Sequence, residues 1–199
     1  MIRVQPDTAG IAQAVEALRS GEVVLYPTET VYGLAVDPFN AQAVEKLFKV
    51  KGRDADKPVL LIVGNVGQLD TIVSEISPHA KVCMDAFWPG PLTLLLPKTD
   101  AVPDSITAGS SKVGVRSPGL DVARALCNTF GGALTSTSAN LSGEAPAVSL
   151  DGLDLSGVAL AIDGGRLDAA TPSTLYDPES RVVLREGAIS LEMLVERTR

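Results

Sequence analysis

The sequence predicts an α/β fold in which helices pack against a mixed β-sheet. Three observations lead there. Short apolar runs such as Val23-Val24-Leu25 and Val59 to Val63 read as buried strands. Segments with apolar residues at helical spacing lie between such runs. The two kinds do not alternate strictly, as they would in a doubly wound parallel sheet. At 199 residues the chain suits one sizeable domain of this class, spanning 1–199.

The elements follow in order. In "DTAGIAQAVEALRSGE", Ile11, Ala14, Val15 and Leu18 share one helical face, with Asp7 or Thr8 as cap and Gly21 as terminator. Strand "VVLY" comes next. A second helix near Ala41 to Val50 carries Val44, Leu47 and Phe48 on its apolar face, with Asn40 as N-cap. "PVLLIV" reads as a strand buried on both faces. Two short helices are expected near Val66–Ser74 and Pro78–Phe87; Pro78 takes the first helical position behind Ser77, and "WPG" ends the second. "PLTLLLP" and "VGVR" are strands, and Asp121 to Phe130 is a helix closed by Gly131-Gly132. "ALTSTS" and "VALAID" are strands, "STLYD" and "RVVLRE" form a hairpin across "PES", and Ser190 caps a final helix.

Bulk properties exclude several classes. Seventeen basic against 24 acidic residues give a net charge of −7, which argues against bulk attraction to nucleic acid but leaves room for a local basic cleft. The apolar runs are too short to span a bilayer, and "MIRVQPDTAG" lacks the apolar stretch of a signal peptide, so a soluble cytoplasmic protein is expected. Cys83 and Cys127 fall in helical segments without C-x-x-C spacing and are expected as buried or semi-buried free thiols, not a disulfide or a zinc site. His79, the only histidine, is expected at the surface in the first turn of its helix. A surface histidine argues against a His-based triad, and a His-rich metal site is excluded by count.

Six stretches place polar groups at the ends of apolar segments. "YPTETVYGL" puts two threonines and a glutamate after a buried strand. "KVKGRDADKP" groups Lys49, Lys51, Arg53 and Lys57. Lys51 and Arg53 share a face only if the backbone is extended there, and Gly52 favours leaving the helix. Two cations aimed at one point suit a polyphosphate; a solvated basic helix end complementing the dipole is the equal alternative. "TSTSANLSG" crowds hydroxyls and an asparagine at a strand end, which is either an anion cradle or a polar turn. Arg116 in "VGVRSPG" and Arg185 in "VVLREG" end strands, and Ser173 and Thr174 open one. Each arginine offers a fork for carboxylate or phosphate, or a structural ion pair. The G-x-x-x-x-G-K-[ST] and G-x-G-x-x-G phosphate loops are absent.

Taken in order, "YPTETVYGL", "KGRDADKP", "WPGPLTLLLP", "VGVRSPG", "TSTSANLSG", "IDGG" and "PSTLYD" resemble the YrdC family, and within it the TsaC-type threonylcarbamoyl-AMP synthases. The resemblance runs from about Val23 to Arg185. It implies a YrdC-like twisted mixed sheet with flanking helices around an open cavity. It also implies that L-threonine, bicarbonate and ATP, with Mg2+ accompanying the ATP, give threonylcarbamoyl-AMP and pyrophosphate. A downstream threonylcarbamoyl transferase complex then modifies tRNA beside the anticodon, with direct tRNA contact by this chain weak at most and no membrane partner. By position, Thr30, Arg116, Ser136 and Ser173 match threonine contacts. Lys51, Arg53, Lys57, Ser138, Asn140 and Arg185 match ATP contacts, with Lys51 and Arg53 stabilising charge during catalysis. Neither a covalent nucleophile nor a protein-held metal is expected. Glu29 is a candidate base, or an anchor of its turn through backbone N–H bonds.

One departure stands out. Many relatives carry a histidine inside the strand matching "PVLLIV", close to the substrate amino acid, and Ile62 holds that place here. The chain resembles the short type without the extra C-terminal domain of longer members. Three other readings remain: an RNA-binding module of the same fold without catalysis, a relative of the carbamoyl-transfer module of hydrogenase maturation proteins, and a non-catalytic regulator.

Overall fold

A computed structural model describes residues 1–52, 57–168 and 171–198. Among these, ten strands form one sheet: β1 (Ile2–Val4), β2 (Val23–Tyr26), β3 (Gly33–Ala35), β4 (Leu60–Ile62), β5 (Leu92–Pro97), β6 (Lys112–Arg116), β7 (Leu134–Ser138), β8 (Val158–Ile162), β9 (Thr174–Asp177) and β10 (Val182–Arg185). Their order is β1-β8-β2-β3-β7-β4-β6-β5-β9-β10. β8 runs parallel to both β1 and β2, β4 to β6, and β5 to β9. The remaining neighbours are antiparallel. The sheet is mixed, as the incomplete alternation of elements implies.

Six helices flank it among the described residues: α1 (Thr8–Arg19), α2 (Ala41–Lys51), α3 (Pro78–Phe87), α4 (Asp104–Thr107), α5 (Asp121–Phe130) and α6 (Leu191–Arg197). Side-chain oxygens satisfy the first free N–H groups of four of them. Asp7 accepts from Gly10, Asn40 from Gln42 and Ala43, Ser77 from Ala80, and Ser190 from Met193. Gly52 ends α2 at φ 54°, a left-handed conformation that costs glycine little.

Strand β2 shows why the interior is apolar on both sides. Val23 and Leu25 point into a cluster with α2 and α3, while Val24 and Tyr26 point into one with α1 and α5. A period of two therefore feeds two cores. β3 and β1 were not foreseen; each has three residues, too few to display a period. β3 turns back on β2, pairing Gly33 with Tyr26. A Cβ on Gly33 would lie 2.9 Å from the Tyr26 ring, so this approach needs glycine.

Three local expectations are corrected. Val66–Thr71 is a short 3-10 helix and not an α-helix reaching Ser74. "PVLLIV" contributes only Leu60–Ile62 to the regular ladder, and the one-turn helix α4 was not foreseen. His79 is half-buried, with Nε2 3.0 Å from the Tyr176 hydroxyl, because α3 leans on β9 there. Desolvation, then the charge of Arg181, lowers its pKa. Cys83 and Cys127 are buried and unbridged. Burial pushes the Cys83 thiol up to about 11 and holds Cys127 far above its ordinary value. Among the described residues no helix is long and apolar enough to cross a membrane.

Candidate active site

The β2–β3 loop is built around one hydroxyl. Thr28 Oγ1 accepts from the backbone N–H groups of Thr30 (3.1 Å) and Val31 (3.2 Å) and donates to the Val31 carbonyl (2.6 Å). This fixes a tight polar turn without help from elsewhere. Because the Thr28 proton goes to Val31, the Thr30 hydroxyl is the donor in their 2.9 Å contact. Its lone pairs are left to accept from Arg116 Nη1 at 3.2 Å. The turn is thus anchored by Thr28 and not by Glu29. Glu29 instead places Oε1 3.2 Å from the same Arg116 nitrogen.

Arg116 ends β6 and is buried. Across from it Arg185, at the end of β10, donates through Nη2 to the Ser173 carbonyl at 2.9 Å and its hydroxyl at 3.2 Å. The Ser173 hydroxyl also meets Thr93 Oγ1 at 2.8 Å. Arg185 as a whole is exposed, yet its guanidinium reaches the cavity. There desolvation, then the like charge of Arg116, lowers its pKa. Arginine stays charged regardless. Ser136 and Ser138 lie two apart on β7, and Ser136 accepts from the buried Tyr26 hydroxyl at 2.8 Å. Burial keeps that phenol neutral, with its pKa far above the ordinary value.

These groups share one cavity of about 340 Å³. Thr30, Arg116, Ser136, Ser138, Ser173 and Arg185 all line it, with Leu60 and Leu175 among the apolar residues. A few convergent polar groups in a partly apolar hollow are what a small-molecule site requires. Its charged lining among the described residues is two arginines, so it is prepared for an anion.

The adjoining turn explains two other candidates. Lys51 is the last residue of α2, so it is helical and not extended. Its buried ammonium donates to the carbonyls of Ser138 (2.6 Å) and Asn140 (2.8 Å) and to Asn140 Oδ1 (2.6 Å). Asn140 Oδ1 also accepts from Ser138 Oγ at 2.6 Å, and its Nδ2 donates to Glu144 O at 2.6 Å. Lys51 and Asn140 therefore shape the turn behind the lining Ser138. Lys57 is exposed next to the lining Pro58. Arg53 lies outside the described residues.

The family model described as "Telomere recombination", covering Sua5, YciO and YrdC proteins, matches residues 16–187. The chain belongs to the Sua5/YciO/YrdC family. A Bacillus subtilis member named threonylcarbamoyl-AMP synthase is 39% identical over 190 residues, covering 92% of this chain and 55% of that one. A Thiobacillus denitrificans protein of the same name is 41% identical over 170 residues, covering 84% and 90%. The solved structure of Pyrococcus abyssi Sua5 complexed with L-threonine superposes with a TM-score of 0.92 at 35% identity, covering 98% of this chain and 59% of that one. The chain thus spans about half the length of some curated Sua5/YciO/YrdC relatives and nine-tenths of others.

In this family member Ile62 does not line the cavity. It is fully buried with Ala123, Leu126 and Cys127 of α5. Sequence reasoning missed Tyr26, Thr28 and Thr93, which set the hydroxyls of Ser136, Thr30 and Ser173. The short spacing of Thr28 and Thr30 in "PTET" was the available signal for one of these contacts. The Tyr26–Ser136 bond spans 110 residues and left no such trace.

Proposed function

We propose that the chain makes threonylcarbamoyl-AMP and pyrophosphate from L-threonine, bicarbonate and ATP. The observation that carries this reading is the convergence of Thr30, Arg116, Ser136, Ser173 and Arg185 on one cavity, in a chain related to proteins named for that activity. Arg116 takes the carboxylate of threonine, and Thr30, Ser136 and Ser173 fix the rest of the amino acid. Ser138, at the turn held by Lys51 and Asn140, receives the nucleotide, and Arg185, Lys57 and Arg53 meet its phosphates.

The chemistry asks for alignment and charge neutralisation. The threonine amine and bicarbonate condense to a carbamate with loss of water. A carbamate oxygen then attacks the α-phosphorus, and the bond from that phosphorus to the pyrophosphate oxygen breaks. Holding the partners in line is worth about 7–11 kcal/mol in favourable systems. The cationic groups offset the negative charge that grows on the departing pyrophosphate.

Among the described residues no three His, Cys, Asp or Glu side chains come together, and the cavity lining carries no carboxylate. Magnesium enters as the ATP complex, held by phosphate oxygens. The product is a mixed anhydride, which a separate transferase complex passes to tRNA. A net charge of −7 suits an enzyme that releases a small product and leaves the grip on tRNA to its partner. The test incubates the protein with ATP, bicarbonate and magnesium, with and without threonine, and follows pyrophosphate and the product mass. Threonine-dependent pyrophosphate and an adenylate of the expected mass support the reading; equal pyrophosphate in both arms ends it.

A further inference from the structure

Glu29 has no assigned role, and its surroundings supply one. Among the described residues it is the only carboxylate bonded to Arg116. Its Oε1 and the Thr30 hydroxyl both fall on Nη1, each at 3.2 Å, near the long end of the hydrogen-bond range. The Arg116 guanidinium makes no other hydrogen bond among these residues. Oε2 is buried and has no hydrogen-bond partner among the described residues. A carboxylate facing arginine ordinarily uses both oxygens in a fork. Here it holds on by one, and a buried acceptor left over is costly unless something is gained.

We propose that Glu29 is the positioning residue for Arg116, gripping Nη1 alone so that the remaining edge of the guanidinium stays available for the substrate carboxylate. A two-point pair would consume that edge. No pair at all would leave Arg116 facing Arg185 with only the Thr30 hydroxyl to hold its direction. The one-point grip is set by the backbone around Thr28 and by the room beside Gly119. A Cβ there would lie 3.3 Å from both Cγ and Cδ of Glu29, close enough to displace the carboxylate by a few tenths of an ångström. Glu29 itself is not in the cavity lining, so it acts through Arg116.

The inference rests on reading the cavity as an amino-acid site, and the experiment separates the two. Threonine and ATP kinetics are measured for Glu29→Ala, Glu29→Gln and Gly119→Ala. In parallel, the side-chain 15N resonances of Arg116, assigned with Arg116→Lys, are recorded on ligand-free protein. Glu29→Ala should raise the KM for threonine about tenfold or more, with the KM for ATP within about twofold. Glu29→Gln, whose amide oxygen still accepts from Nη1, should recover most of the loss, and Gly119→Ala should show a smaller rise of the same kind. The distinct Nη1 and Nη2 signals of the wild type should merge in Glu29→Ala as the guanidinium loses its carboxylate anchor and turns faster. Unchanged Arg116 signals, or equal rises in both KM values, overturn the positioning role. A wild type without threonine-dependent turnover ends the amino-acid reading, while the Arg116 signals still decide what Glu29 does.

Discussion

Lys51 offers the sharpest separation of bracing from ligand binding. Lys51→Met keeps the length and apolar stem of the side chain and removes the ammonium. Two carbonyls, Ser138 O and Asn140 O, then lose a charged donor at 2.6 and 2.8 Å, while Asn140 Oδ1 keeps its bond from Ser138 Oγ. Ser138 O keeps the Asn140 N–H at 3.1 Å, so Asn140 O is the acceptor left unsatisfied, at a gross loss of about 1–3 kcal/mol. Relief from burying a cation returns part of it, leaving a net loss of about 1–2 kcal/mol. For a chain of this size that is a fall in Tm of roughly 2–8 °C. The nucleotide affinity should drop with it, because the Ser138–Asn140 turn loosens. The assay pairs thermal unfolding with titration by a non-hydrolysable ATP analogue. A variant with unchanged Tm and abolished nucleotide binding would refute the bracing argument and make the ammonium a direct phosphate ligand.

Further outcomes follow from other contacts. Thr30→Val removes the hydroxyl shared by Thr28 and Arg116 at nearly constant volume. It should raise the KM for threonine about fivefold to tenfold, as expected for one hydrogen bond, with ATP binding intact; unchanged threonine kinetics would remove Thr30 from the site. Arg185→Gln should weaken nucleotide use more than threonine binding, and a loss confined to threonine would reassign it. Both thiols should resist alkylation of the native protein at neutral pH, since burial raises both pKa values, and both should react after denaturation; rapid native labelling of either would contradict the packing. Lys112 meets Asp177 at 2.8 Å and Glu179 at 2.7 Å. Burial alone would raise the Asp177 pKa, but the Lys112 bond and the N–H groups of Glu179 and Ser180 outweigh it, and the net shift is downward. The native carboxylate thus binds protons less readily than the unfolded one. Its contribution is complete above the ordinary value of 3.8 and fades as pH falls through the lower folded value. The Tm gap between wild type and Lys112→Met should be constant above about pH 5 and shrink as pH falls below about 4 and through the lower folded value; a gap that does not shrink on acidification would refute the pairing.

Much of the fold is legible in the sequence because period and punctuation agree. α1, α2, α3 and α5 have apolar stripes and end signals within a residue or two of the observed boundaries. β1 and β3 fail that test because three residues display no period, and their pairing is decided by β8, β2 and β7 from elsewhere in the chain. At the site, Thr30, Arg116, Ser136, Ser138, Ser173 and Arg185 were legible as polar residues at the edges of apolar runs. Their convergence was not, because it depends on strand order: β10 reaches the cavity through β9 and β5, not through its neighbours in sequence alone. Lys51 and Glu29 each make contacts that spacing could not show. Their partners, Ser138 for Lys51 and Arg116 for Glu29, lie about 87 positions away.

The distribution of charge in the cavity ties these points together. The protein as a whole is acidic, yet two guanidiniums line this hollow, and desolvation and mutual repulsion already act on Arg185. Like charges held together at a partly buried site raise its free energy when empty and lower it when an anion arrives. Glu29 balances only one of them, and with one oxygen. Under the proposed function, the excess meets threonine's carboxylate at one end and the nucleotide phosphates at the other. Adding a carboxylate to the wall, as in Ser136→Asp, should therefore weaken both substrates together, in contrast to Thr30→Val, which should weaken one. If Ser136→Asp impaired threonine alone, the two arginines would be acting as separate sites and not as one anionic cleft.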